Sequence, residues 1–214
     1  MTHWHAQMGL RTLGPIAVAL MFVAAQAHPG SAQNSRIGAF AGFNTNEQEW
    51  SPDAEVERVT GLVVGAFVDA ATPVSGFSVL AEGAFIQRGG DVVDSGTTLV
   101  EGAVRTDYLA VSVRAKMALD AGPARLHVAA GPAFENVLRS RVSPGFETTL
   151  EREGRSVFGI LIGAGVGVGI GQGRRVGIEG RLFDGLGDAY TGDFVSVRNR
   201  SWEAVVRFGM PIPR

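Results

Sequence analysis

Eight short apolar-rich runs follow residue 35, at 36–44, 58–69, 77–88, 104–118, 125–138, 156–170, 175–184 and 201–210. The connections between them alternate in kind. Those at 45–57, 89–103, 139–155 and 185–200 are long and polar, whereas 70–76, 119–124 and 171–174 have the length of turns. Inside the runs, apolar and polar positions alternate with the period of two that belongs to a strand. An up-and-down antiparallel sheet with one elaborate end and one plain end has this layout.

Sorting each run by alternate positions separates two faces. In the fourth run Leu109, Val111, Val113, Ala115 and Met117 share one side, and Tyr108, Ala110, Ser112, Arg114 and Lys116 share the other. In the sixth, Phe158, Ile160, Ile162, Ala164, Val166, Val168 and Ile170 oppose Leu161 and an alternating series of glycines. In the seventh, Val176, Ile178 and Leu182 oppose Gly177, Glu179 and Arg181, and in the eighth Trp202, Ala204, Val206, Phe208 and Met210 oppose Glu203, Val205 and Arg207. The fifth sets Leu126, Val128, Ala130, Pro132 and Phe134 against Arg125, His127, Gly131 and Glu135. One face is bulky and apolar, the other glycine and charge. The third run is less clean, with Glu82 and Arg88 among Leu80, Ala84 and Ile86, and the second is apolar on both sides and takes no assignment from its pattern.

Two barrels satisfy this alternation. A soluble one turns its apolar face inward, as a lipocalin-like binder does; a membrane one turns it toward lipid and fills its lumen with the polar face. Glycine favours the second. On a water-facing strand it weakens the sheet and gains nothing, whereas in the narrow interior of eight strands it makes room for long side chains. The charges agree. Glu82, Glu135, Glu179 and Glu203 share the polar face with Arg114, Lys116, Arg181 and Arg207, an equal count that a dry lumen closed by ion pairs requires. The expected fold is all-β: an eight-stranded antiparallel up-and-down transmembrane β-barrel, its lumen charge network made of these eight residues. Phe43, Trp50, Phe85, Phe134, Phe158, Phe183 and Trp202 lie near strand ends, where aromatics mark the membrane interface.

The first 32 residues read as an export signal. Arg11 is its positive end, and 13–25 is an apolar stretch too short to span a bilayer. Ala25-Gln26-Ala27 forms a small-residue cleavage site, and Gly30-Ser31-Ala32 offers a later one. The expected organisation is a signal peptide over 1–27, with cleavage as late as 32 the alternative, and a barrel domain over 33–214. An uncleaved anchor helix is the competing reading. The whole chain has 19 Lys+Arg against 21 Asp+Glu, so no basic field exists to hold nucleic acid. It lacks cysteine, which excludes disulfides and thiolate chemistry. Beyond the signal, no apolar run approaches the ~18 residues of a spanning helix. Thirty glycines also oppose a helical bundle, since each costs up to about 1 kcal/mol inside a helix.

With these residues in view, the chain resembles the PorT-type outer membrane protein β-barrel domain family of small OmpA-like, porin-like barrels. The resemblance runs through Gly61-Leu62-Val63-Val64-Gly65 in the second strand and through Glu82 with Arg88-Gly89-Gly90 in the third. It continues in Arg105-Thr106-Asp107-Tyr108-Leu109 to Lys116, Gly131-Pro132 with Leu138, Phe158-Gly159 with Gly163-Ala164-Gly165, and Arg181 with Gly185-Leu186. Ala110 and Ser112 depart from the family's Glu and Pro, and the chain ends Met210-Pro211-Ile212-Pro213-Arg214 where many such barrels end on an aromatic residue. The resemblance implies location in the bacterial cell outer membrane and contact with membrane lipid, lipopolysaccharide and the barrel assembly machinery. It implies no reaction.

Little chemistry competes with that reading. His127 is the one histidine within the strand runs, and it faces carboxylates such as Glu135 or Glu179. Ser112 and Ser140 have no spacing to a histidine and acid that selects a hydrolase, although lipid-modifying barrels exist. The glycines at 163, 165, 167 and 169 alternate along a whole strand instead of opening a helix, so they do not form a dinucleotide-binding turn. The acids Asp91, Asp94, Glu101, Glu147, Glu151, Glu153, Asp184, Asp188 and Asp193 in the long connections read as solvated charge, with divalent-cation binding the alternative. No catalytic residue, metal site or cofactor is assigned. The expected role is non-enzymatic: envelope structure, adhesion or assembly, with a narrow solute channel as the alternative.

Overall fold

A computed structural model describes residues 35–51, 55–94, 102–143, 156–191 and 196–212. The signal segment and its cleavage sites lie outside the described residues, as do Glu101, Glu147, Glu151, Glu153 and Asp193. The chain forms β1 (Arg36–Ser51), β2 (Glu55–Ala71), β3 (Phe77–Asp94), β4 (Gly102–Ala121), β5 (Ala124–Val142), β6 (Ser156–Gly169), β7 (Arg175–Thr191) and β8 (Ser196–Pro211). Each strand pairs antiparallel with its neighbours, and β1 pairs with β8, closing the barrel. Closure gives every strand two partners, the condition for placing backbone amides in hydrocarbon.

Short hairpins at one end follow from local chemistry. Ala121 pairs with Ala124 across Gly122-Pro123. Gly122 has φ 63°, and a proline after a glycine of positive φ is the type II′ arrangement that matches strand twist. Between β6 and β7, Gln172 and Gly173 both take positive φ, and the Arg174 amide donates to the Gly171 carbonyl at 2.9 Å. That is the I′ geometry.

The strands run further than the apolar runs at the opposite end. Lengths of 14 to 20 residues exceed the ~9–11 that cross a bilayer at a tilt. Much of what reads as polar loop in 45–57, 89–103, 139–155 and 185–200 is therefore paired strand. The sequence alternation fades there because both faces are polar beyond the lipid. The register irregularities in β2–β3, β4–β5 and β7–β8 all fall toward the long-connection end of the strands, at or beyond the ends of the apolar runs.

Outside the lumen the surface is apolar. Ile162, Ile178, Val206 and Leu126 are about half exposed, and Phe43 is 64% exposed. A soluble protein does not present such a continuous surface. β2 now has an assignment: Val63, Phe67 and Asp69 point inward, Leu62 and Val64 outward. Followed through the tilted pairing register, Phe43, Phe85, Phe134, Phe158 and Trp202 come to a common level, with Phe134 paired directly to Phe158. Phe183 does not belong to this girdle. It is 1% exposed inside the barrel, because it shares the parity of Glu179 and Arg181. The side chain of Trp50 lies outside the described set.

Ile162 sits midway along β6 on the outer face, and Ile170 sits at its turn end. An Ile162→Arg barrel loses about 2–4 kcal/mol of folding free energy in lipid vesicles and an Ile170→Arg barrel about 0–1. Urea titrations of the two variants check the gradient.

Candidate functional site: a charge-filled lumen

The polar parity of five strands converges on the axis. Glu82 from β3, Arg114 from β4, Glu135 from β5, Glu179 and Arg181 from β7, and Glu203 and Arg207 from β8 are all buried. Glu82 holds three guanidiniums: Arg114 at 2.6 Å, Arg207 at 2.6 Å and Arg181 at 3.1 Å. Glu179 receives Arg114 at 2.7 Å and also pairs with Arg207. Arg181 reaches on to Glu203 at 2.8 Å.

Two members were missing from the sequence-derived set. Arg88 of β3 donates to Glu135 at 3.0 Å, meets Glu203 at 3.3 Å and hydrogen-bonds Ser201. Its parity with Glu82, three pairs of positions earlier, was the available signal. Lys116 does not join the glutamates. It pairs at 2.5 Å with Asp69 of β2, nearer the turn end; Asp69 was hidden because its run is apolar on both faces. Of the two carboxylates the sequence sets near His127, the structure brings Glu179 to it, with Nε2 3.6 Å from Oε2.

Aromatic rings complete the packing. The Arg88 guanidinium lies 4.5 Å from the Phe183 ring centre, Arg181 4.7 Å from Phe40, and Arg207 4.2 Å from Phe67. Each face offers a cation some of the stabilisation it loses on leaving water. Glycine supplies the remaining room. A Cβ on Gly163 would meet Glu179 Oε1, and would stand 2.9 Å from Arg114 Nη1, where both side chains are fixed by their pairing.

Chemically this arrangement neutralises charge. Four arginines, Arg88, Arg114, Arg181 and Arg207, face four glutamates. Continuous contact runs from Glu135 through Arg88, Glu203, Arg181, Glu82 and Arg114 to Glu179. A cavity of about 20 Å³ among them has room for about one water. Ser112 Oγ stands 3.5 Å from Glu82, and Ser140 Oγ stands 3.3 Å from the Thr106 hydroxyl. Among the described residues no group of three or more acidic or histidine side chains is placed to hold a metal. In the polar extension, Asp91 pairs with Arg105 at 2.6 Å, and Asp184 and Asp188 lie within β7.

A family model described as an outer membrane protein β-barrel domain matches residues 24–191. Among solved structures, the chain is similar to the outer membrane protein OprG from Pseudomonas aeruginosa, with TM-score 0.56 and 11% identity, over 82% of this chain and 94% of that one. It also matches Neisserial surface protein A, with TM-score 0.49 and 11% identity, over 84% of this chain and 97% of that one. Comparison with curated proteins returns no match.

Removing one glutamate strands several cations. Glu82→Ala costs about 3–5 kcal/mol of folding free energy, whereas Glu49→Ala, in a surface pair, costs at most about 1 kcal/mol. Gly163→Ala is destabilising too. Urea unfolding of the three variants in vesicles checks the order.

Proposed function

Because the chain belongs to the outer membrane protein β-barrel domain family, we propose that it serves the bacterial outer membrane as a small, closed, non-enzymatic barrel with a role in envelope structure, adhesion or assembly. The observation that carries this reading is the buried network of Arg88, Arg114, Arg181 and Arg207 with Glu82, Glu135, Glu179 and Glu203. Side chains tied into one connected network fill the axis, and an ion entering that axis would have to break their pairings. The carboxylates that could act as general bases are committed to guanidiniums. The resemblance of strands two to seven to PorT-type barrels belongs to the same reading.

The partners follow from the two outer surfaces. The apolar belt meets membrane lipid. Above the aromatic girdle, the strand extension carries Arg58, Arg105, Arg141 and Arg200, paired with Glu47, Asp91, Asp107 and Glu49. We assign this charged band to the headgroup layer, where lipopolysaccharide phosphates and divalent ions lie. A specific partner would dock on the connections beyond it, since loops on a rigid scaffold carry recognition. The barrel assembly machinery is the expected partner during insertion.

A narrow channel is the competing reading, and conductance separates the two. The purified barrel in a planar bilayer gives no resolved single-channel steps. Steps that persist at constant amplitude across independent preparations would overturn the closed-lumen reading.

A further inference from the structure

The charge balance of the lumen breaks down at its turn end. There a second cavity, of about 60 Å³, opens between Arg36, Asp69, Lys116, Arg125, Arg175 and Arg207. On the measure by which about 10–15 Å³ holds one water, this volume admits about four, enough for a tetrahedral oxyanion. Lys116 is matched by Asp69, and Arg125 lies 3.4 Å from the exposed Asp120. Arg36 donates to the Gly173 carbonyl at 2.7 Å, a neutral partner. Arg175 has no ion pair among the described residues. Arg36 and Arg125 repel it, while Asp120 and Asp69 attract it. The mouth therefore holds more positive than negative charge.

Its wall also holds unused hydrogen-bonding atoms. Arg207 is more than nine-tenths buried; its Nη1 serves Glu82 and Glu179, and its Nη2 has no partner. Arg175 Nε is buried without a partner as well. Asp69 Oδ1, on the same wall, is a buried acceptor with lone-pair capacity left over beside the Lys116 ammonium and the Ser78 hydroxyl. Two free donors, one free acceptor and surplus positive charge specify an anion that both accepts and donates. Hydrogen phosphate and the monoanion of a phosphate monoester do this, with acceptor oxygens for the arginines and one P–OH for Asp69. Sulfate and phosphodiesters have no hydroxyl to give.

We propose that the cavity at the short-turn, periplasmic end of the barrel binds a phosphate group carrying a free hydroxyl, supplied either by inorganic phosphate or by a monoester headgroup such as phosphatidic acid. Arg36, Arg175 and Arg207 hold its charge and Asp69 takes its proton-bearing oxygen. Glycines at 167, 177 and 209 line the same space and keep it open.

The test uses the barrel purified in neutral detergent, titrated calorimetrically at constant ionic strength with inorganic phosphate and with sulfate. Parallel titrations use phosphatidylcholine vesicles with or without phosphatidic acid or phosphatidylglycerol. The expected result is saturable binding of inorganic phosphate or of phosphatidic acid, at least about tenfold tighter than of sulfate or phosphatidylglycerol. Arg175→Gln and Arg36→Gln should each weaken it about tenfold, with both variants still showing the gel mobility shift of a folded barrel on boiling. A response to phosphate alone assigns the soluble ion, and a response to phosphatidic acid alone assigns the lipid. No saturable binding by wild type, equal binding of sulfate, or binding that survives in folded Arg175→Gln overturns the proposal.

Discussion

The barrel depends on one constraint: ionised side chains on the axis of eight strands must neutralise one another where water is scarce. An isolated buried charge is costly enough to unfold a domain or lose its proton. Glu82 answers this by holding three guanidiniums, and each of the three reaches on to Glu179 or Glu203. No pair among the glutamates and arginines stands alone, so deleting Glu82 leaves several others uncompensated. The network is thus a device of registration as much as of stability. Slipping any strand by one residue would turn its charge into lipid and its apolar side into the lumen.

Much of the remaining architecture serves that arrangement. Glycine on the lumen face of β6 leaves the cross-section that Arg114, Glu179 and Arg181 occupy. Phe40, Phe67 and Phe183 fill what the ion pairs leave and present their ring faces to cations. The outer surface carries the complementary load. Its bulky residues lie where lipid replaces water, and the strands continue beyond them as a polar collar tied by its own surface pairs.

The closed eight-stranded fold was legible because period-two alternation survives wherever one face meets lipid and the other meets charge. Legibility fails where that contrast is absent. β2 buries Val63 and Phe67 on the side that other strands fill with charge, so both its faces look apolar and Asp69 escapes notice. Strand ends above the girdle look like loops because both their faces are polar. Phe183 looks like a girdle aromatic because it lies near an end of its apolar run; only counting back by twos to Arg181 reveals its direction. Arg88 shares a face with Leu80, Ala84 and Ile86, and that mixed composition hides its tie to Glu135. Parity gives the face of a residue. It does not say which of several opposite charges around a closed ring will be the partner, because that depends on how the strands stagger.

The same logic separates the two ends of the lumen. In the middle, where burial is complete, acids and arginines match in number. At the turn end the cations around Arg175 outnumber the acids, and hydrogen-bonding atoms of Arg207 and Asp69 go unused. Water entering the mouth lowers the cost of that imbalance but does not remove it, since like charges gathered in a small space repel. Strand pairing requires none of Arg36, Arg125 or Arg175, and a threonine or glutamine at each would fit the register equally well. A sequence that balances charge where imbalance would be ruinous, and leaves it unbalanced where imbalance is merely expensive, has placed that surplus for an anion.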